Sequence, residues 1–187
     1  QTSDVGVAAL DLTTGETVSI NGNTASPRAS TVKVAVAAAY LSQVDHGRRS
    51  LSDKIAGQSA YRLMEKMMIR SDNRATDILM RDLGGPDAID EWLRFHDLDN
   101  MRVDRTIAGL LRARRDLWDA RDSSTPLAMV DLLQRLDKGN VLKPRSRAFL
   151  LDLMARCETG KNRMRALLPW GTKVEHKTGT LNGYTSD

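Results

Sequence analysis

Ser30 and Lys33 have the residue types and the spacing of a nucleophile and its base. They lie three residues apart at the start of an apolar stretch, so one helical turn would place both side chains on one face. A serine hydroxyl attacks well only when a neighbouring base takes its proton, and a lysine can do this when burial lowers its pKa. N–H groups at the start of the helix would favour a developing anion. A helix-capping serine followed by a lysine that extends to the surface would give the same pattern.

Two further short motifs carry hydroxyl, amide and amino groups. Ser71-Asp72-Asn73 lies between two predicted helices, where it could equally be an N-cap cluster for a helix starting at Arg74. Lys177-Thr178-Gly179 falls in the last predicted strand, in which Lys177 and Gly179 share one face and Thr178 occupies the other. A glycine there allows a ligand or another backbone to come close. Each motif alone is weak, because ordinary caps and strand ends also produce it.

Composition indicates one globular domain that folds without disulfide bonds or a structural metal ion. The chain has 187 residues, of which 41% are hydrophobic and 28% are charged, enough for a substantial core. The one cysteine, Cys157, cannot form an internal disulfide and is interpreted as a small buried hydrophobe, and His46, His96 and His176 show no metal-binding spacing. The net charge of +4 is spread along the chain, so a solvated surface is favoured over a nucleic-acid site. No apolar run is long enough to span a bilayer.

The elements that must position these motifs begin with a hairpin and a buried helix. Apolar runs over 5–10 and 17–20, with turn residues between them, predict two antiparallel strands. The stretch 30–41 is apolar on nearly every side, which is typical of a buried central helix. The stretch 105–124 lacks clean periodicity and predicts a long functional or irregular loop.

Further helices and a final strand complete the predicted fold. Pro, Gly and N-cap signals predict helices over 58–69, 74–83, 86–95 and 144–157, with another opening at Thr125-Pro126. A strand over 172–180 and a hairpin turn at Asn182-Gly183 follow. We therefore predict a single α/β (α+β) domain over 1–187. Its sheet parts lie at about 1–26 and 171–187, and a mainly helical part lies at about 30–168.

The order of the three motifs resembles that of class A β-lactamases and penicillin-binding proteins. The resemblance covers nearly the whole chain, from Val5 onwards, and extends beyond the motifs. Matching blocks are the hairpin with Asp11, Gly15 and Glu16, Ala29-Ser-Thr-Val-Lys-Val, Ile69-Arg-Ser-Asp-Asn-Arg-Ala-Thr-Asp, Arg121-Asp-Ser-Ser-Thr-Pro126, Thr159-Gly160 and His176-Lys-Thr-Gly-Thr180.

The resemblance implies a role for each matched residue. Ser30 is expected to be the acylated nucleophile and Lys33 its general base, while Ser71 relays a proton to the leaving nitrogen. Asn73 would hydrogen-bond the substrate's amide side chain. Substrate binding is further expected at Lys177, Thr178, Gly179 and Thr180, with Lys177, Thr178 and Thr180 holding the carboxylate. The N–H groups of Ser30 and Thr180 would form the oxyanion hole. No metal or organic cofactor is needed.

One departure from the family concerns the loop that precedes Arg121. Class A β-lactamases carry there a glutamate and, four residues on, an asparagine that position the deacylating water. In this sequence Ile107 and Leu111 occupy those places. Loss of a general base typically costs 10²- to 10⁴-fold in rate, so slow deacylation is expected. Asp116 or Asp119 could instead supply the base.

The resemblance implies a periplasmic or secreted serine hydrolase whose own chain shows no leader. The expected substrates are β-lactams or peptidoglycan stem peptides ending in D-Ala-D-Ala, without nucleic acid or a transmembrane segment. A true β-lactamase with another deacylation base and a non-turnover β-lactam receptor or binding domain are the alternatives. Family members continue past Lys177-Thr178-Gly179 with two strands and a helix that lie beyond Asp187. We therefore expect a chain incomplete at this end, or a second chain that completes the sheet.

Overall fold

Seven α-helices and eight short strands are present in the computed structural model, which describes residues 5–27, 30–113, 121–181 and 184–187. The helices are α1 (Val32–Asp45), α2 (Ala60–Arg70), α3 (Asn73–Asp82), α4 (Pro86–Phe95), α5 (Ile107–Arg112), α6 (Pro126–Lys138) and α7 (Pro144–Ala155), with a 3₁₀ turn at Met164–Leu167. The strands are β1 (Val7–Leu10), β2 (Thr17–Ile20), β3 (Ser26–Pro27), β4 (Lys54–Ile55), β5 (Gln58–Ser59), β6 (Ser123–Ser124), β7 (Gly179–Leu181) and β8 (Tyr184–Ser186).

Helix α1 is the buried central helix that its sequence predicts. Every residue from Val32 to Ser42 is buried, and α2, α3, α4 and α7 pack around it. Each fully buried valine or leucine contributes about 1.5–3 kcal/mol of hydrophobic stabilisation. Met64, Met67 and Met68 of α2 belong to the same core. The core therefore holds rigidly the helix that carries Lys33.

Side-chain caps start several helices, and those at Asp72 and Thr125 lie where the sequence predicts a cap, whereas the helix predicted over 58–69 begins only at Ala60 because Gln58 and Ser59 form β5. Ser59 accepts the N–H of Arg62, Asp72 that of Ala75, and Thr125 that of Ala128. Helix α4 spans Pro86–Phe95, as predicted. Each such cap is worth about 1 kcal/mol.

The N-terminal hairpin is also confirmed. Strand β1 pairs antiparallel with β2, Gly15 turns between them at φ +76°, and the hairpin packs on α6. The side chains of Val7, Val18 and Ile20 are about half exposed or more. One flank of the hairpin thus lies on α6 while these apolar side chains face outwards.

All strand pairs in the described residues are antiparallel, but the last predicted strand is much shorter than expected. The prediction of a strand over 172–180 is wrong for residues 172–178. Strand β8 pairs only with Gly179–Leu181, and no described strand pairs with residues 172–178. Strand-like residues do not form a strand without a hydrogen-bonding neighbour. The predicted turn at Asn182-Gly183 lies outside the described residues.

The loop over 105–124 contains order that its sequence does not predict. Helix α5 forms within it, and β6 pairs with β3 at its end. Asp122 joins the two ends of this loop. Its carboxylate accepts the N–H groups of Asp104 and Arg105 and contacts Arg105 Nε at 2.5 Å. Asp116 and Asp119, the candidate replacement bases, lie outside the described residues. Among the helices that are described, none has the length and apolar character of a membrane span.

Candidate active site

Ser30 lies in the turn that leads into α1, and Lys33 lies in the first turn of the helix. The N-cap is Thr31, which makes no side-chain capping hydrogen bond, and the Lys33 side chain is 0% exposed. Lys33 therefore does not extend to the surface, and Ser30 does not cap the helix. Lys33 Nζ lies 3.1 Å from Ser30 Oγ, within hydrogen-bonding distance of the candidate nucleophile.

Lys33 Nζ is surrounded by oxygen atoms of three residues. Besides Ser30 Oγ, it lies 2.6 Å from Ser71 O, 2.7 Å from Asn73 Oδ1 and 3.0 Å from Ser71 Oγ. A carbonyl oxygen and an amide oxygen only accept hydrogen bonds, so these two take two N–H groups of the amine. When Lys33 is neutral, its lone pair is then available to a serine hydroxyl proton. The arrangement suits an amine that receives a proton from Ser30.

The surroundings of Lys33 lower its pKa to about 7. Burial is the main cause, because it penalises the charged amine, and the positive charge of Lys177 acts in the same direction. The negative charges of Asp72 and Asp77 oppose this and raise the pKa. A substantial fraction of Lys33 is therefore neutral at pH 7, as a general base requires.

The motif 71–73 forms the corner between α2 and α3, and its residues have different functions there. Asp72 is the N-cap of α3. Ser71 ends α2 in the left-handed region at φ +56°, and both its carbonyl and its hydroxyl contact Lys33. Asn73 is the first residue of α3. The capping interpretation therefore holds for Asp72, whereas Ser71 and Asn73 face the lysine.

Lys177 belongs to the same cluster. Its Nζ lies 3.0 Å from Ser71 Oγ, so this hydroxyl bridges the two lysines. Lys177 is 4% exposed, and its pKa is lowered to about 8, mainly by burial. The negative charge of Asp187 acts against this shift, whereas the positive charge of Arg163 adds to it.

Thr178 points away from Lys177 and into a small hydroxyl network. Its Oγ1 lies 2.5 Å from Thr159 Oγ1, which in turn lies 3.2 Å from Cys157 Sγ. Cys157 is buried just beyond the end of α7, as predicted for a small hydrophobe. The opposite orientation of Lys177 and Thr178 matches the alternation expected of extended chain.

Gly160 allows Thr178 to occupy this position. Its φ is +71°, and an added Cβ would lie 2.1 Å from Thr178 Cγ2. We expect Gly160→Ala to lower the free energy of unfolding by about 1–3 kcal/mol and to displace the segment that carries Lys177. Denaturant unfolding would measure the stability. A covalent β-lactam label would measure the rate of adduct formation, which we expect to fall roughly tenfold or more.

Gly57→Ala is the matched control for this substitution. Gly57 has a φ of +80°, yet a Cβ added to it would meet no atom within 4 Å. It introduces similar backbone strain without crowding Thr178. An equal loss of labelling in both variants would contradict a positional role of Gly160.

Arg163 joins the site although sequence reasoning did not select it. Its guanidinium donates to the carbonyl of Gly179 at 3.0 Å and to Thr180 Oγ1 at 2.5 Å. Its residue type alone could not indicate this role, because Arg156 and Arg165 lie nearby in the sequence. Only the fold shows which of the three arginines contacts β7. The edge of β7 thus carries a second cation beside Lys177.

Helix α5 places an apolar residue at the position where the resemblance expects a glutamate. Ile107 is the first residue of α5 and is 5% exposed, whereas Leu111 is 54% exposed. The carboxylate of Asp77 accepts the N–H of Ile107 at 2.6 Å and that of Ala108 at 3.0 Å. The backbone of this loop segment is therefore held firmly, with no acidic side chain at Ile107 or Leu111.

The histidines contribute no metal site within the part of the chain that is described. His46 Nδ1 and His96 Nδ1 contact the carbonyls of Ser42 and Trp92. His176 Nδ1 lies 2.8 Å from Asp187 Oδ1. No group of three or more His, Cys, Asp or Glu side chains among the described residues could hold a metal ion.

Known proteins resemble this chain in both sequence and fold. A sequence model of the beta-lactamase enzyme family matches residues 1–187. The carbapenem-hydrolyzing beta-lactamase KPC of Klebsiella oxytoca is 31% identical over an alignment covering 96% of this chain and 67% of that protein. The beta-lactamase SME-1 of Serratia marcescens is 30% identical, with the same coverage of both chains. This chain thus spans about two thirds of these relatives.

Solved structures show the same likeness. An ancestral class A beta-lactamase superposes with a TM-score of 0.89 at 36% identity, covering 94% of this chain and 74% of that one. A beta-lactamase of Xanthomonas campestris superposes with a TM-score of 0.90 at 30% identity, covering 96% and 73%. These structures support the predicted fold class. None of the comparisons supports a second chain.

Proposed function

We propose that this chain, which belongs to the beta-lactamase enzyme family and is a serine hydrolase of that family, acylates its own Ser30 and releases the acyl group slowly. The substrates would be β-lactams or peptides ending in acyl-D-Ala-D-Ala. The observation that carries the proposal is Lys33 Nζ at 3.1 Å from Ser30 Oγ, with a pKa of about 7. Nucleophile and base are thus in contact, and the base is poised to take a proton near neutral pH.

Acylation would proceed through the hydroxyl and amine cluster. Ser30 Oγ attacks the amide carbonyl carbon while its proton passes to Lys33 Nζ. The carbon–nitrogen bond then breaks, and Ser71 Oγ gives a proton to the leaving nitrogen and is reprotonated by Lys33. The proton lost by Ser30 therefore ends on the leaving group. Hydrogen-bonding distances of 3.0 Å from Ser71 Oγ to both lysines support this relay.

The substrate carboxylate would bind at the edge of β7. Lys177 and the guanidinium of Arg163 place two cationic groups there, and Thr180 adds a hydroxyl. Thr178 would act through its backbone, since its hydroxyl is directed to Thr159. Asn73 would contact the substrate's amide, and the N–H groups of Ser30 and Thr180 would stabilise the oxyanion. A periplasmic or secreted location suits such substrates.

Slow release would follow from the side chain at Ile107. Water must lose a proton to a base as it attacks the ester carbonyl, after which Ser30 regains its hydrogen. An apolar side chain cannot take that proton, so the step loses about 10²- to 10⁴-fold in rate. The acyl-enzyme would accumulate during turnover.

Intact mass spectrometry with benzylpenicillin tests this function. We expect the protein to gain the mass of one inhibitor molecule and to retain it long after free inhibitor is removed. Rapid hydrolysis of a cephalosporin with no detectable adduct would instead establish a true β-lactamase. A protein that takes no label with Ser30 and Lys33 intact would be an idle binding domain. Release of D-Ala from a peptide ending in D-Ala-D-Ala would separate a peptidase from a non-turnover receptor.

The efficiency of acylation should depend on pH through both lysines. Below about pH 7 Lys33 becomes protonated and ceases to act as a base, so the rate falls as the pH is lowered. Above about pH 8 Lys177 loses the charge that attracts the substrate carboxylate, so the efficiency falls again. A fluorescent penicillin would measure the second-order rate constant between pH 5 and 10 in steps, with its expected maximum between about 7 and 8.

Lys177→Arg is the control for the alkaline limb. An arginine keeps its charge throughout this range, so the decline above pH 8 should disappear while the acidic limb stays in place. An alkaline limb unchanged in this variant would show that another group causes it.

A further inference from the structure

A groove between α2 and the segment that follows α7 is lined mostly by charged side chains. Its volume is about 350 Å³, within the range of about 300–1,000 Å³ that is usual for small-molecule sites. Positions 62, 65, 66, 69 and 70 share one face of α2 and form one wall. The charged lining consists of four cations, Arg62, Lys66, Arg70 and Arg156, and of two carboxylates, Glu65 and Glu158.

Two of these cations have no close carboxylate partner among the described residues. Lys66 Nζ lies 2.5 Å from Gln58 Oε1, which is a neutral amide oxygen, and it forms no ion pair with a described carboxylate. Arg70 Nε lies 3.9 Å from Glu158 Oε2, and both side chains are more than half exposed. Lys66 and Arg70 can therefore bind a further anion without breaking a short ion pair.

Glu65 holds the other two cations in position. Its Oε1 accepts a hydrogen bond from Arg156 Nη2 at 2.9 Å, and its Oε2 accepts one from Arg62 Nη1 at 3.2 Å. Arg156 also donates to Asp152 Oδ2 at 3.1 Å. A guanidinium has five N–H groups, so each arginine keeps donors for another acceptor. The groove thus presents guanidinium groups whose positions are already fixed.

The backbone under the groove is also held firmly. The carbonyl of Lys66 accepts the N–H groups of Ser71 and Asp72, at the corner between α2 and α3. The N–H of Glu158 donates to the carbonyl of Ile69 at 2.9 Å, which joins the two walls. The lining therefore projects from a rigid part of the fold, and binding there requires little rearrangement of the chain.

We propose that this groove binds a phosphate group, either as free phosphate or as part of a small organic monoester. A phosphate monoester carries a charge of about −1.5 to −2 at pH 7 and three strong acceptor oxygens, which suits a lining in which cations outnumber carboxylates. Arginine binds phosphate through two parallel hydrogen bonds, and lysine adds a point charge. A simple carboxylate carries only one charge and should bind more weakly. This binding site goes beyond the proposed function of Ser30 and does not depend on it.

Isothermal titration calorimetry with inorganic phosphate, glucose 6-phosphate and acetate tests the proposal. Each is titrated into the whole chain at the same ionic strength with chloride as the background salt, which keeps the screening of surface charges constant. We expect saturable binding of a phosphate with a millimolar or lower Kd, and binding of acetate weaker by about tenfold or more. Tighter binding of glucose 6-phosphate would support an organic monoester as the ligand, whereas binding of inorganic phosphate at least as tight would support free phosphate. Equal binding of acetate, or no saturable binding of either phosphate, would overturn the proposal.

Lys66→Gln, with Lys54→Gln as its matched control, assigns the binding to the groove. Lys54 is an exposed lysine that does not line the groove. We expect the affinity for phosphate to fall by at least about fivefold in Lys66→Gln and to stay unchanged in Lys54→Gln. An equal loss in both variants would show a general effect of net charge and would contradict the proposal. If Lys66→Gln does not fold, Arg70→Gln is compared in the same way with Arg48→Gln, which changes an exposed arginine outside the lining.

Backbone amide NMR distinguishes this groove from the cationic edge of β7. Phosphate in the groove should shift the amide signals of Ile69, Arg70 and Glu158, because their N–H groups belong to its walls. The same shifts are expected in Ser30→Ala, since the groove does not use the nucleophile. Shifts confined to other residues, such as Lys177 and Thr180, would place the phosphate in the candidate active site and would overturn the proposal.

Discussion

Ser30→Ala should abolish the covalent adduct with benzylpenicillin while the protein remains folded. The adduct is an ester of Ser30 Oγ, and alanine has no nucleophilic atom that could form it, so no adduct should be detectable within hours. Helix α1 begins at Val32 and is not capped by Ser30, so the fold does not need the hydroxyl. Intact mass spectrometry measures the adduct, and thermal unfolding measures the integrity of the fold.

Thr31→Ala is the matched control for this prediction. Thr31 is the adjacent hydroxyl residue and makes no capping hydrogen bond with its side chain. The variant should form the adduct as the unmodified protein does. An adduct that persists in Ser30→Ala would place the reactive group elsewhere, and an equal loss in both variants would indicate damage to the start of α1.

Lys33 shows how much of the site could be predicted from the sequence. The apolar residues on every side of α1 predict burial, which spacing within one helix encodes directly. A lysine three residues after a serine fits either a base or a lysine that extends to the surface, and the resemblance to a family favours the base. The contacts of Lys33 with Ser71 and Asn73, about 40 residues away, could be expected only from the resemblance to a family.

Arg163 and Asp77 show what could not be predicted. Arg163 is one of several arginines in a segment without periodicity, and its contact with β7 depends on how that segment folds back. Asp77 reads as an ordinary helical residue until α5 packs against α3. The prediction of a strand over 172–180 was wrong for a related reason. A strand requires a hydrogen-bonding partner, and β8 pairs with only three residues, Gly179–Leu181. Helical spacing produces a periodic pattern of residue types in the sequence, whereas long-range packing and strand pairing do not.

Ile107→Glu should convert slow release of the acyl group into faster hydrolysis. The substitution supplies a carboxylate at the start of α5, where the backbone is already fixed by Asp77. A general base typically contributes 10²- to 10⁴-fold, and we expect the lower end, about 10²-fold faster deacylation. The new carboxylate would lie near the Asp77 charge, which disfavours ionisation and raises its pKa. Addition of Leu111→Asn should increase the gain, because the resemblance assigns that position to the same water.

Ile107→Gln is the control that isolates the base from the change in polarity. Glutamine has nearly the shape of glutamate and admits water to the site but cannot take a proton at neutral pH. After acylation with benzylpenicillin and removal of the excess, the decay of the adduct is followed by mass spectrometry at several pH values. Faster decay in the Glu variant alone, increasing with pH as the carboxyl group ionises, would show that the absent base limits release. Equal decay in the Glu and Gln variants would show that access of water, and not proton transfer, keeps the acyl group on Ser30.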